Sequence, residues 1–164
     1  MHPNAQLVEQ FYAHFQARDA NGMTACYHPD VTFTDPVFGQ LRGPEATSMW
    51  QMLCARGQDL VLTVSNVQAD TLAGVAHWEA QYTFGKARRR VHNVVDAAFE
   101  FREGLIHQHT DTFDLWKWSR MALGPAGLLL GWTPMLQRSI RNRAYRDLKA
   151  YMQKRTDDDS QHQR

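Results

Sequence analysis

Two cysteines, Cys26 and Cys54, are all that this 164-residue chain contains. They are too few for a disulfide framework, and their spacing matches no metal-ligand pattern. No apolar run is long enough to cross a bilayer, because the most apolar stretch, residues 121–136, is broken by three glycines and two prolines. Residues 1–10 lack the basic start and apolar core of a secretory signal, so a cytoplasmic location with free thiols is expected. An excess of charge is missing as well. The 18 basic and 17 acidic residues leave a formal net charge of +1, so nucleic acid is not an expected partner. Internal repeats are absent too. What remains is an ordinary globular composition, 43% hydrophobic and 21% charged, long enough for one domain with a real core. Residues 1–155 read as that domain, with 119–155 an apolar loop and helix at its end, and 156–164 as a disordered polar tail.

The chain is organised around residues 27–45, YHPDVTFTDPVFGQLRGPE. Val31, Phe33 and Asp35 alternate with Thr32 and Thr34, which places Asp35 on the apolar face of a strand. Lost hydration there raises a carboxyl pKa unless a partner intervenes. Pro36 favours an extended Asp35 and withdraws a backbone donor, so the carboxylate ends the strand. A plainer reading makes Asp35 only the cap of the turn that follows.

Upstream, Asn4 can cap a helix reaching about Arg18, with Leu7, Val8, Phe11 and Phe15 on one stripe. Asp19 can cap a short second helix. Residues 44–56 read as a third, with Ala46, Met49, Trp50 and Leu53 buried and Gly57 as its stop. The period then changes to alternation. Leu60, Leu62 and Val64, then Trp78, Ala80, Tyr82 and Phe84, then Val91, Asn93, Val95, Ala97, Phe99 and Phe101 read as inner faces of successive strands. Residues 86–90, a short basic run, fit a solvated hairpin end. A last strand is expected from Leu105 to about Lys117. Three helices followed by strands on short turns argue for α+β with a curved antiparallel sheet.

That last strand carries His107, His109 and Asp111 as H-x-H-x-D. On a regular strand all three share a face, and three readings stay open: a polar pocket with Asp35 and an Asp111-oriented His109, a two-histidine metal chelate, or an outward or interface role. Phe113 and Leu115 favour the odd-numbered face as inner, whereas Ile106, Trp116 and Trp118 favour the even one. No third ligand accompanies the two histidines, so no metal is expected. Beyond it, residues 121–136 and the basic helix from Pro134 read as cover for an open end of the domain or as a dimer contact. A membrane-surface contact ranks last.

Helix, short helix, D-V-T-F-T-D-P, G-x-x-x-G, a longer helix and strand hairpins together resemble the ketosteroid isomerase and nuclear transport factor 2-like superfamily, in its polyketide cyclase-like, SnoaL-like branch, over about residues 5–118. The resemblance implies a cone-shaped curved antiparallel sheet wrapped around N-terminal helices (a cystatin-like roll) and enclosing an apolar pocket; this chain adds a C-terminal helix. It implies a small enzyme without cofactor, an isomerase, cyclase or hydrolase, or else a non-catalytic binding or dimerisation module. In ketosteroid isomerases the Asp of the D-P motif is the general base, and it maps onto Asp35. The isomerase's oxyanion-hole Tyr maps onto Phe11, with Tyr12 one step away. Its protonated Asp maps onto Ala97, with Asp96 one step away on the opposite face. A steroid isomerase of the usual kind is therefore not expected. His109, Asp111 and Phe113 map onto cavity-facing positions. The expected catalytic set is Asp35, His109 and Asp111; the substrate-binding set is Tyr12, Trp78, Tyr82, Asn93, Phe99 and Phe113, acting on a compact apolar molecule. A homodimer through the outer sheet face, at His77, Glu79, Gln81 and Thr83, is also implied.

Overall fold

A computed structural model describes residues 1–161 of the chain. Helix α1 spans Pro3–Gln16 and α2 spans Ala20–Ala25. The Asp19 side chain caps α2 by accepting from the Gly22 amide, as expected. The α1 cap is His2, whose Nδ1 accepts from the Asn4 amide at 3.1 Å. Asn4 is instead turned inward, donating through Nδ2 to the backbone oxygens of Asp70 and Thr71. Its polar end is thereby satisfied by the β-hairpin that packs against the helix start.

Six strands follow in a curved open sheet: β1 (Tyr27–Asp35), β2 (Gly39–Arg42), β3 (Val61–Ala69), β4 (Ala73–Phe84), β5 (Arg89–Arg102) and β6 (Leu105–Thr112), in spatial order β2-β1-β6-β5-β4-β3. Helix α3, Pro44–Arg56, lies where its proline start and glycine stop place it. The sheet is α+β in class but not wholly antiparallel, since β1 pairs with β6 in parallel. The parallel pair arises because the whole of β2–β5 intervenes between its two strands, so no hairpin joins them.

The last strand ends at Thr112, short of the expected Lys117. Asp114 turns the chain there by accepting from the Lys117 amide at 2.9 Å, and α4 begins at Leu115. Leu115 and Trp118 are therefore buried at helical spacing, which resolves the contradictory face signal. A bulge explains the remainder: Phe101 pairs with Ile106 but Glu100 pairs with Gln108, so His107 is the extra residue. Ile106 and His109 both point inward across that bulge, as a bulge permits.

Helices α4 (Leu115–Leu123), α5 (Pro125–Leu130) and α6 (Pro134–Gln161) complete the chain. Leu115, Trp118 and Ala122 pack with Val91, Val37, Tyr82, Phe84 and Phe113, so α4 closes one end of the sheet. Residues 156–161, expected in a disordered tail, continue α6; the rest of that expectation lies outside the described residues. Among the described residues no helix is long and apolar enough to cross a membrane.

Candidate functional site

The concave face of β1 and β6 carries the chemistry. Phe33 pairs with His109 and Thr34 with Thr110 in the parallel ladder. One residue further along both strands lie Asp35 and Asp111, neighbours on the same face. At the spacing of adjacent strands, about 5 Å, the charge of Asp111 bears on the ionisation of Asp35.

His109 is wholly buried among Phe11, Phe33, Trp50 and Phe99, the Phe99 ring centroid 4.5 Å from its own. Both ring nitrogens are engaged: Nδ1 lies 2.7 Å from the Tyr27 hydroxyl and Nε2 lies 2.9 Å from Asp111 Oδ1. Trp50 Nε1 donates to the Tyr27 oxygen at 2.8 Å. Since an indole only donates, these contacts are satisfied in order when Trp50 donates to Tyr27, Tyr27 to His109 Nδ1, and His109 Nε2–H to Asp111. Trp78 Nε1 is a second donor to the same Asp111 oxygen, at 3.3 Å. Aromatic burial thus aims three donors in series, and Trp78 beside them, at one carboxylate, and an unpaired member would be costly in so dry a place.

Asp35 does both things its sequence suggests. Its Oδ1 accepts from the Phe38 amide at 2.5 Å, so it caps the turn after Pro36. Burial nonetheless outweighs that bond and, with the Asp111 charge, pushes its pKa up to about 7, against smaller lowering effects from the Val37 amide and Arg141. The residue as a whole is half-buried, with its carboxyl turned to the inner face of the sheet. Tyr82 stands nearby; burial, opposed by the hydrogen bond from Trp118 and reinforced by the Asp35 charge, raises its pKa to about 12. Tyr12 is fully buried, with its ring 6.0 Å from Trp78 and 6.3 Å from Phe99. Burial, then the charge of Asp111, raises its pKa well above the usual tyrosine value. Its hydroxyl has no hydrogen-bond partner among the described residues.

Of the other expected residues, Phe113 is half-buried and bridges the main core and the α4 cluster. Asn93 is buried on the inner face of β5 but lines a cleft of about 100 Å³ with His92, Asp114, Lys117 and Met121, beside α4. His107 sits at the bulge with its ring 5.3 Å from that of His28, apart from the Asp111 path. Among the described residues no group of three or more His, Cys, Asp or Glu is placed to hold a metal ion.

The family model for the SnoaL-like domain matches residues 8–109. The chain belongs to that family. This SnoaL-like protein matches no curated protein sequence. Its fold is shared with an LEH-like epoxide hydrolase of M. tuberculosis, at 21% identity and a TM-score of 0.62, covering 82% of this chain and 95% of that one. A protein of ketosteroid isomerase-like fold from Catenulispora acidiphila, solved with trimethylamine, gives 16% identity and a TM-score of 0.64 over 78% and 97% of the two chains. The epoxide hydrolase/cyclase-like enzyme SalBIII, described in pyran ring formation in salinomycin, gives 15% and 0.61 over 68% and 91%. The family match stops at His109, so Asp111 and the last three helices of the SnoaL-like chain lie beyond it.

Tyr27 and Trp50 were absent from the expected site. Both look like core aromatics in the sequence, on a strand start and a helix stripe. Only the parallel pairing of β1 with β6, invisible to local periodicity, sets the Tyr27 hydroxyl against His109.

Proposed function

We propose that this protein is a small acid–base enzyme, working by proton transfer between side chains and a compact apolar substrate without a cofactor. Asp35 is the general base: it ends its strand on a half-buried residue, and its pKa near 7 matches a base at neutral pH. Asp111 is the fixed neighbour whose charge adds to burial in keeping Asp35 basic. His109 is a positioning residue, because both of its ring nitrogens are committed to other side chains. It acts by holding Asp111 in place. The Tyr12 hydroxyl donates to the substrate oxygen on which negative charge develops. Trp78, Tyr82, Phe99 and Phe113 supply the apolar walls.

One observation carries this reading: a carboxyl made basic by burial stands beside a second one that is locked by a dry chain of donors. In such a site Asp35 takes a proton from a carbon next to a carbonyl, or from water or a hydroxyl attacking an epoxide, and returns it to the product. The epoxide hydrolase and hydrolase/cyclase-like descriptions of two fold neighbours support the second substrate type. The test is a panel of enolisable ketones in heavy water and of small apolar epoxides, followed by NMR for deuterium uptake and ring opening. Turnover by the wild type and its loss in Asp35→Asn are expected. Equal rates in the two proteins would remove Asp35 from the mechanism.

A non-catalytic binding module is the second reading, favoured by the close aromatic packing around His109. It predicts ligand binding that Asp35→Asn leaves intact, with no turnover on the panel. In either case we expect a homodimer through the outer sheet face, where His77 pairs with Asp96 and His92 with Glu79. Sedimentation equilibrium tests it, and a monomer at high concentration would reject it.

A further inference from the structure

Leu128, Leu129, Leu130, Trp132 and Met135 stand 48–74% exposed on α5 and the start of α6. Five large apolar residues outside the core within eight positions is not the scattered exposure of an ordinary surface. Their exposure is built in. Gly127 faces α4 so closely that a Cβ there would collide with the Ser119 carbonyl, and one on Gly131 would strike the Ser119 hydroxyl. The two glycines seat α5 on α4 by its small side, so the leucines must point away. Both nearby indoles have already spent their polar atom on this scaffold: Trp132 Nε1 donates to the Leu129 oxygen at 3.1 Å and Trp116 Nε1 to the Leu128 oxygen at 3.3 Å. What they leave to the outside is apolar ring.

Charge within this stretch of sequence is one-sided, with Asp114 and Asp147 standing just outside it. Between Leu115 and Arg146 the chain holds Lys117, Arg120, Arg138, Arg141, Arg143 and Arg146, and none of the 17 acidic residues. All but Arg141 are exposed, and Arg120 lies over the Trp116 ring at 5.1 Å. A molecule with a formal net charge of only +1 has a third of its cations in this stretch, which also carries the five exposed apolar residues. We propose that this face docks on a membrane surface containing anionic lipid, with the α5 leucines and Trp132 in the interface and the arginines among the headgroups. Apolar insertion flanked by cations is the pattern that binds such a surface without crossing it.

The face also adjoins the candidate site, independently of whether that site is catalytic. Arg141 on α6 donates through Nε to the Pro36 oxygen at 3.1 Å, directly after Asp35, and α4 packs on Val37 and Tyr82. Docked in this way, the protein brings the end of its sheet nearest Asp35 to the place where apolar small molecules concentrate.

The test is co-sedimentation of the full chain with vesicles of phosphatidylcholine, alone or with one quarter phosphatidylglycerol. Binding is expected only with the anionic lipid, falling with added salt. Leu129→Ser combined with Trp132→Ser, and separately Arg138→Glu combined with Arg143→Glu, should each weaken it about tenfold or more, with unchanged circular dichroism. No sedimentation with anionic vesicles at low salt overturns the proposal. So does equal binding by the Leu129/Trp132 variant, which would mark a diffuse charge effect. A dimer in lipid-free solution that the same variant dissociates would assign the face to a second copy of the chain and overturn it as well.

Discussion

The Tyr27 hydroxyl lies 2.7 Å from Nδ1 of His109, across 82 positions of sequence and between two strands that run in parallel. The contact joins the start of the sheet to its last strand, and with Nε2–H donating to Asp111 a neutral imidazole leaves Nδ1 to accept from the Tyr27 hydroxyl. Tyr27→Phe should strand Nδ1 and the Trp50 indole together, leaving two buried polar atoms unpaired. A loss of about 2–4 kcal/mol is expected in urea unfolding. Nitrogen NMR of the wild type should find the His109 proton on Nε2, with Nδ1 bare; a proton on Nδ1 would reverse the direction of the whole chain.

Asp35 makes stability and activity depend on pH in opposite senses. Its folded pKa of about 7 lies above the ordinary 3.8, so between those values the folded protein holds a proton that the unfolded chain has released. Stability from this group is fully present below about pH 4 and is lost as pH rises through 7, by up to roughly 4 kcal/mol. The proposed base, in contrast, works only when ionised, so turnover should rise through the same interval and level above it. Asp35→Asn should abolish turnover and flatten this part of the stability profile. A rate that falls above pH 7 would instead make Asp35 the acid.

Most of the architecture was legible because it is written in local signals. Pro44 and Gly57 bracket α3, Asp19 caps α2, and alternation from Trp78 to Phe84 and from Val91 to Phe101 marks the inner sheet face. Asp35 stood out for the same reason, a carboxyl in phase with Val31 and Phe33. Three features were illegible, each for a non-local cause. The bulge at His107 switches the phase inside β6, so no single alternation fits Ile106 and His109 together. The parallel pairing that gives His109 its Tyr27 partner is a matter of topology. Arg141 reaches the turn after Asp35 from a helix more than a hundred residues away, and nothing in its own helical spacing announces the contact.

Gly127 tests the rigid seat of α5. Its backbone leaves no room for a methyl group against the Ser119 carbonyl, so Gly127→Ala must push α5 off α4. Overpacking of this kind costs about 1–3 kcal/mol. Because α5 lies outside the main core cluster, the change should appear first as faster proteolysis within residues 124–132 and only secondarily as a lower Tm. An unaltered digest would show that α5 is not held by this contact.

Tyr12 separates the two functional readings most directly. Its hydroxyl is fully buried and has no partner among the described residues, so in the folded state it is desolvated without compensation. Tyr12→Phe removes that unpaired group while keeping the ring between Trp78 and Phe99. Stability should hold or improve by about 1 kcal/mol. If the hydroxyl serves as donor to a substrate oxygen, kcat should fall by about a hundredfold while KM changes little, since the bond matters most in the transition state. Residues kept for packing lose stability when cut back. A variant that becomes no less stable while losing turnover places the hydroxyl in the chemistry; one that keeps its full rate removes Tyr12 from it and leaves the substrate oxygen to be held elsewhere.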